Sequence, residues 1–374
     1  MHHIIGLLFT TASFIVVISV LVFVHEFGHY IIAKWAGVKI EVFSIGFGQE
    51  IRGWTDKSGT RWKIGALPLG GYVKMYGDAS EASTPLSAID ALPEDEKKKT
   101  FYHKSLPKKA AIVVAGPLAN FLLTIFIFTI FITLDGLPST EPIVGEIVKG
   151  SAAEAAGLLP DDRILAVDNQ TVETFNDIPR IILTNLGTPV TLKLQRTGQE
   201  LRVTLTPKMV TDKDQLGNPY THPLIGISSK KIKIEEVGLL RAIGESILRT
   251  YHFCTVNLEA IWQIATGHRS FSGSITGPIG MARMSGQAAE KGPATLFIFM
   301  ANISASLGLV NLFPILPLDG GHLFYYALEA VRGRPLARNF QEYGFRIGTA
   351  LIVILMASAI LSDIHKWLLT LAHG

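Results

Sequence analysis

Four stretches of the chain are apolar over lengths that cross a membrane: residues 4–34, 110–134, 295–318 and 347–371. Each reaches or exceeds the ~20 residues that a helix rising 1.5 Å per residue needs to span the hydrocarbon core. The second carries no charge, and the fourth is interrupted near its end by Asp363 and Lys366. The first has no basic residue ahead of it, is too long for a signal-peptide core, and shows no small-x-small cleavage site before His25, so it reads as a span and not as a leader. Between the second and third spans the pattern changes. Residues 142–148, 164–167, 190–194 and 201–205 alternate or are β-rich, with Arg196-Thr197-Gly198-Gln199 as a hairpin signal. Residues 151–156 suit a short helix stopped by Gly157, and 175–186 a second helix with an apolar face. Residues 237–266 have helical spacing, with Arg241, Glu245 and Arg249 on the polar side, and fit either a helix on a membrane surface or one packed on the small sheet domain. Residues 270–286, rich in Gly and Ser, read as a flexible connector. Between the first two spans, residues 61–75 alternate with breaks at Gly65, Gly70 and Gly71.

Composition agrees with a membrane protein. Charged residues make up 17% of the 374, against about 25% in soluble domains. A net charge of +3, without interleaved basic and aromatic residues, gives no footprint for nucleic acid. Cys254 is the sole cysteine, which excludes an intrachain disulfide and a cysteine-built zinc site. Lys34, Lys39, Lys104, Lys108 and Lys109 flank the loop after the first span, and Arg332, Arg334, Arg338 and Arg346 fill the loop before the fourth. By the positive-inside rule both loops are cytoplasmic, and the termini and the segment 136–293 are extracytoplasmic.

Inside the first span stands His25-Glu26-Phe27-Gly28-His29. Histidines four apart share a helical face, so both imidazoles reach one Zn²⁺, with Glu26 beside them to take a proton from a bound water. Two core histidines bonded to backbone would explain the spacing as well. That alternative leaves Glu26 in hydrocarbon without benefit, at a cost of about 2.5–3.5 kcal/mol. A catalytic zinc site needs a third protein ligand at the same depth. His25 comes about 21 residues into its span, roughly 32 Å along a helix, and Asp319 about 24 residues into the third, roughly 36 Å. Pro314 and Pro317 break that helix just before Asp319, freeing backbone as a wet site would need. His322 is a second candidate, farther toward the cytoplasm.

With Asn311 and Leu318-Asp319-Gly320 in the third span, the motif resembles the site-2 protease family of intramembrane zinc metalloproteases, and more closely its bacterial regulator-of-sigma-E branch. Phe43-Ser44-Ile45-Gly46-Phe47-Gly48, Leu67-Pro68-Leu69-Gly70-Gly71-Tyr72-Val73-Lys74-Met75 and Ala115-Gly116-Pro117-Leu118-Ala119-Asn120-Phe121 extend the resemblance over nearly the whole chain. It implies Zn²⁺ on His25, His29 and Asp319, Glu26 as general base, and Asn311 holding substrate backbone or the developing oxyanion. It also implies that residues 61–75 form a hairpin-like loop dipping into the membrane, with Gly70 and Gly71 at an edge that holds substrate. The implied substrates are single-span membrane proteins already trimmed outside, such as an anti-sigma factor, or remnant signal peptides. Many relatives carry two PDZ domains and this chain has room for one; Pro317 lies one place later than the family pattern.

The sheet segment, with Ala155-Ala156-Gly157-Leu158 and Asp161-Asp162-Arg163-Ile164, resembles a bacterial PDZ domain. Such a domain takes a peptide C-terminus by strand addition, placed here near Ile143, Val144 and Gly145, or else acts as a size filter. The expected fold is a membrane α-helical bundle of four transmembrane helices with an inserted extracytoplasmic α+β PDZ-like domain, in a bacterial inner membrane. Its parts are a zinc-motif span (1–36), a cytoplasmic loop with the membrane-associated hairpin (37–109), the second span (110–135), the PDZ-like domain (139–208), linker and amphipathic helices (209–294), the third span (295–320), a cytoplasmic loop (321–346) and the fourth span (347–371). Two rivals remain: a membrane-anchored protease facing the cytosol, which would use a downstream Glu in place of Asp319, and a silent scaffold recruiting partners, against which an intact Glu26 speaks.

Overall fold

The computed structural model describes residues 2–78, 89–183, 188–213, 219–230, 232–266 and 276–372. It divides into two compact units, one of residues 1–129 and 243–374, the other of residues 130–242.

Among the described residues four helices are long and apolar enough to cross a membrane, within α1 (His2–Trp35), α2 (Leu106–Asp135), α7 (Pro293–Asn311) and α9 (Arg338–Ala372), all of them wholly or mainly in the first unit. Leu8, Val16, Leu122, Phe126, Val353 and Ile354 stand exposed along them. Apolar surface in such continuous bands suits lipid and not water. The third span is shorter than expected: α7 ends at Asn311, residues 312–318 are irregular around Pro314 and a cis Leu316–Pro317 bond, and Asp319 opens a new helix, α8 (Asp319–Arg332). The first turn of α8 folds back tightly on that loop. A Cβ on Gly320 would strike the Leu312 carbonyl, and one on Gly321 would lie 2.6 Å from the Leu316 nitrogen.

Residues 61–75 form one long strand, β2 (Arg61–Met75), whose partner is β1 (Ile40–Thr55). Both strands bend, so that 40–45 pairs with 61–64 on one side and with 71–75 on the other, while 50–55 pairs with 61–65. The resulting small sheet has 50–55 and 71–75 as its edges. Phe43 stacks on Trp62 at 4.4 Å in a cluster with Tyr30 and Ile112, which fixes the sheet to the lower part of α1.

Of the Gly- and Ser-rich stretch expected to be a connector, residues 270–275 lie outside the described residues. The remainder enters α6 (Pro278–Glu290), with Gly277 as its N-cap. Asp363 of α9 caps this helix from outside: its Oδ1 accepts the Gly277 N–H at 3.1 Å and its Oδ2 the Gly280 N–H at 2.8 Å. Gly286 packs α6 against Thr10 of α1.

The second unit is α+β. Its central sheet has the order β6-β5-β7-β8, from β5 (Arg163–Val167), β6 (Gln170–Thr171), β7 (Val190–Arg196) and β8 (Gln199–Leu205). The expected hairpin at 196–199 is present, with Thr197 and Gly198 both at positive φ, the pair that a two-residue turn of this hand demands. Ser151 caps α3 (Ala152–Ala155), and Gly157 follows at positive φ. Ile178, Ile181 and Ile182 of α4 (Asp177–Leu183) bury onto Ile164, Leu192 and Leu194. The unit extends past residue 208, where β9 (Lys208–Lys213) pairs with β10 (Pro219–Leu224). Strand β11 (Ile227–Ser229) returns to β4 (Val144–Ile147), and β12 (Ile232–Glu235) to β3 (Leu137–Thr140). The amphipathic stretch that follows is helix α5 (Leu239–Ala265).

Candidate active site

α1 carries His25 and His29 one turn apart, and α2 passes beside them at Gly116, where a Cβ would collide with the His29 imidazole. Gly28 makes the matching allowance, since a Cβ there would strike the Ala115 carbonyl. His29 is buried, and its Nδ1 lies 2.8 Å from the Ile112 carbonyl oxygen. A carbonyl only accepts, so Nδ1 carries the proton and Nε2 keeps its lone pair. His25 Nδ1 lies 3.1 Å from the Asn120 amide.

Asp319 completes the arrangement. Its Oδ2 is 3.1 Å from His25 Nε2 and 3.5 Å from His29 Nε2, and the two Nε2 atoms are 3.2 Å apart. Zn²⁺ ligated at about 2.0–2.1 Å in tetrahedral geometry sets its ligand atoms about 3.3–3.4 Å from each other, so this triangle matches one face of such a site. Oδ2 is buried and makes no hydrogen bond, which is costly for a carboxylate oxygen unless a cation claims it. The start of α8 also favours the carboxylate through its helix dipole. Among the described residues this is the one group of three potential ligand side chains that meets at a point, and neither a Glu nor the exposed His322 is part of it.

The sequence model of peptidase family M50 matches residues 13–355. The chain belongs to peptidase family M50. Family membership makes it a zinc metalloprotease, with four membrane-length helices. A Rhizobium meliloti protein that bears the name of a zinc metalloprotease is 41% identical over 97% of this chain and 98% of its own length. One from Agrobacterium fabrum is 42% identical, over 94% and 95%. The metalloprotease MmpA of Caulobacter vibrioides is 35% identical, over 97% of both. Among solved structures, the PDZ domain of the SdrC-like protein from Listeria innocua aligns with 26% of this chain and 99% of its own, at 20% identity and a TM-score of 0.20.

The remaining expected residues of this M50 chain fall in different places. Glu26 lies between the histidines, near the Val73 backbone of the 71–75 edge strand. Gly71 brings that strand in: a Cβ there would lie 3.2 Å from Glu26 Cγ and 2.6 Å from the Ser44 carbonyl. Gly70, at positive φ, turns the strand beside the Phe47 ring. Asn311 is half-buried at the last turn of α7 and, among the described residues, makes no hydrogen bond to the three converging side chains.

Ile143, Val144 and Gly145 belong to the other unit. Val144 is buried; its N–H donates to the Asp162 carbonyl and its carbonyl accepts from the Asp161 N–H. Ile143 bridges Arg163 on that side, while Val144 pairs with Ser229 on the other, and a Cβ on Gly145 would meet the Ser229 carbonyl. Both flanks of this strand are therefore occupied, which leaves no bare edge at Val144 for an added peptide. Ile112, Gly116 and Asn120 support the histidines from α2. Gly116 and Asn120 stand in the 115–121 stretch that carries part of the resemblance, where the sequence gives them no role, and Ile112 has no signal of its own.

Proposed function

We propose that this protease cuts peptide bonds within the membrane-spanning segments of single-span proteins, with the metal held by His25, His29 and Asp319 and with Glu26 as general base. One observation carries the reading: three ligand atoms converge with the edges of a zinc site, two from the membrane-length helix α1 and one from the start of α8, just past the membrane-length helix α7 of an M50 chain. When bound there, Zn²⁺ supplies the Lewis acidity that polarises the scissile carbonyl and makes water a competent nucleophile near neutral pH. Glu26 takes the proton from the attacking water and returns it to the departing amine. A helical substrate has its peptide bonds paired, so a segment must be extended before cleavage. The edge strand 71–75 offers it backbone partners, and the side-chain-free surface of Gly70 and Gly71 lets it approach Glu26. Asn311, at the end of α7, is assigned to the substrate carbonyl or the oxyanion.

The proposed setting is a bacterial inner membrane, with the metal site toward the cytoplasm and residues 130–242 outside. There the PDZ-like unit screens substrates by ectodomain size, the reading favoured by the occupied flanks of β4. The substrate class is membrane proteins already shortened by a first cleavage, such as an anti-sigma factor in regulated intramembrane proteolysis, or signal-peptide remnants.

The test is cleavage of a single-span test substrate by purified protein in detergent. Glu26→Gln is expected to retain stoichiometric zinc while losing about 10²–10⁴-fold or more in rate, and a chelator should stop the wild type. Undiminished cleavage by Glu26→Gln, or indifference to the chelator, would refute the mechanism.

A further inference from the structure

Three positions of α2, each four residues after the last, meet the histidine pair: Ile112 with its carbonyl, Gly116 with its missing side chain and Asn120 with its amide. Spacing by four keeps them on one helical stripe. His29 is oriented by the first of them, and His25 has its counterpart in the last. We infer that Asn120 is the positioning residue of His25, its Oδ1 accepting the Nδ1 proton so that Nε2 turns its lone pair toward the metal. This rests on the assignment of His25, His29 and Asp319 as ligands.

Asn120 is fully buried, and its own place is fixed from two sides. Its carbonyl accepts the Ser304 hydroxyl of α7 at 2.8 Å and the Thr124 hydroxyl at 3.0 Å. The one Thr124 proton is shared with the Ala301 carbonyl of α7, 2.9 Å from Oγ1. The amide therefore faces His25 from a clamped backbone and admits two orientations of nearly equal shape. With Nδ2 toward His25, the amide donates to Nδ1. The imidazole proton then sits on Nε2, aimed at His29 Nε2 and Asp319 Oδ2, and Asn120 Oδ1 stays buried without a partner. Turning the amide gives Oδ1 a donor and moves the imidazole proton to Nδ1, the tautomer that ligation through Nε2 requires. A His ligand whose second nitrogen is held by an oxygen is also the more basic donor.

The experiment measures zinc affinity by chelator competition, in full-length protein carrying Glu26→Gln, so that no turnover contributes. Asn120→Leu keeps the bulk and removes the acceptor; Asn120→Asp keeps an oxygen acceptor and cannot donate. The Leu variant is expected to bind zinc about 10–100-fold more weakly, and the Asp variant to bind at least as tightly as its parent. Recovery by Asp separates positioning from packing, because the two replacements are nearly the same size. Equal affinity in parent and Leu variant would overturn the inference alone, as would an Asp variant as weak as Leu, which would mean that the amide N–H is the working group. A Glu26→Gln parent that binds no zinc would instead overturn the ligand assignment, and the inference with it.

Discussion

Asp162 shows how a single carboxylate is kept charged in a protein interior. It is 1% exposed, and burial by itself would raise its pKa. Arg196 outweighs burial with a two-pronged pair, Nε to Oδ1 and Nη2 to Oδ2, both at 2.7 Å, and the Leu159 N–H adds a third donor at 2.8 Å. The carboxyl is held below its usual range as a result. The folded unit thus binds this proton less readily than the unfolded chain, whose value is about 3.9. Its stabilisation is fully present above that value and is lost as pH falls through the lower, folded one. Removing one partner of a buried pair costs about 3–5 kcal/mol, and the partial exposure of Arg196 places Arg196→Ala near the lower end. Hydrogen exchange of β5 and β7 in the full chain, corrected for intrinsic rates, should show Asp162→Asn clearly less protected than wild type at neutral pH. In strong acid the two should converge. A gap that persists in acid would assign the effect to shape and not to charge. At this scale the legible residues were those whose relation is local. His25, Glu26 and His29 share one turn, and Asp319 could be placed because depth along a span is a simple length. Asn120 was not legible as a partner: its role depends on how α2 crosses α1, and Gly28 and Gly116, which permit the close approach, do not by themselves say which residues it brings together.

For the elements, the same division between local and distant information holds. Prolines announced that the third span breaks before Asp319, and α7 does stop, at Asn311. α8 was missed because it is short and His322, Glu329 and Arg332 interrupt its apolar residues, so that hydropathy merges it with a loop. β1 was missed because its partners lie about one hairpin away and its register shifts repeatedly, which blurs the period of two that betrays a regular strand. Asp363 looked like a flaw in the fourth span and is instead the cap of α6, joined to it across more than eighty residues of sequence. A carboxylate so placed satisfies two of the N–H groups that every helix start leaves open. Asp363→Ala strands both, at about 1–3 kcal/mol for buried donors, which corresponds to roughly 5–150-fold faster local opening. Hydrogen exchange over 278–286 should rise by that order, while exchange in the lower part of α1 stays as it was. Asp363→Asn, which retains one acceptor oxygen, should fall between. Unchanged exchange in Asp363→Ala would show that packing of Gly286 on Thr10 holds α6 without the cap.

The molecule as a whole separates its chemistry from its second unit in a way that can be cut cleanly. The proposed metal ligands, Glu26 and the edge strand 71–75 all lie in the unit of residues 1–129 and 243–374. The other unit has its own core, built on Val144, Ile164, Leu192 and Leu194. It enters and leaves through the paired strands β3 and β12, in which Thr140 faces Ile232 and Leu137 faces Glu235. Because the two ends already sit side by side, residues 141–231 can be replaced by Asn-Gly, the pair favoured in two-residue turns, to leave β3 and β12 as a closed hairpin. If the excised unit only screens ectodomains, the shortened protease should bind zinc as its parent does and cut a short-ectodomain substrate at an unchanged rate. A substrate with a folded ectodomain, resisted by the parent, should then be cut as fast as the short one. If the unit instead recruits substrates by binding a peptide, cleavage of the short substrate should fall, and bulky ectodomains should gain nothing. The two outcomes have opposite signs on two substrates. Zinc content, read on the same samples, separates either one from a failure of the remaining unit to assemble.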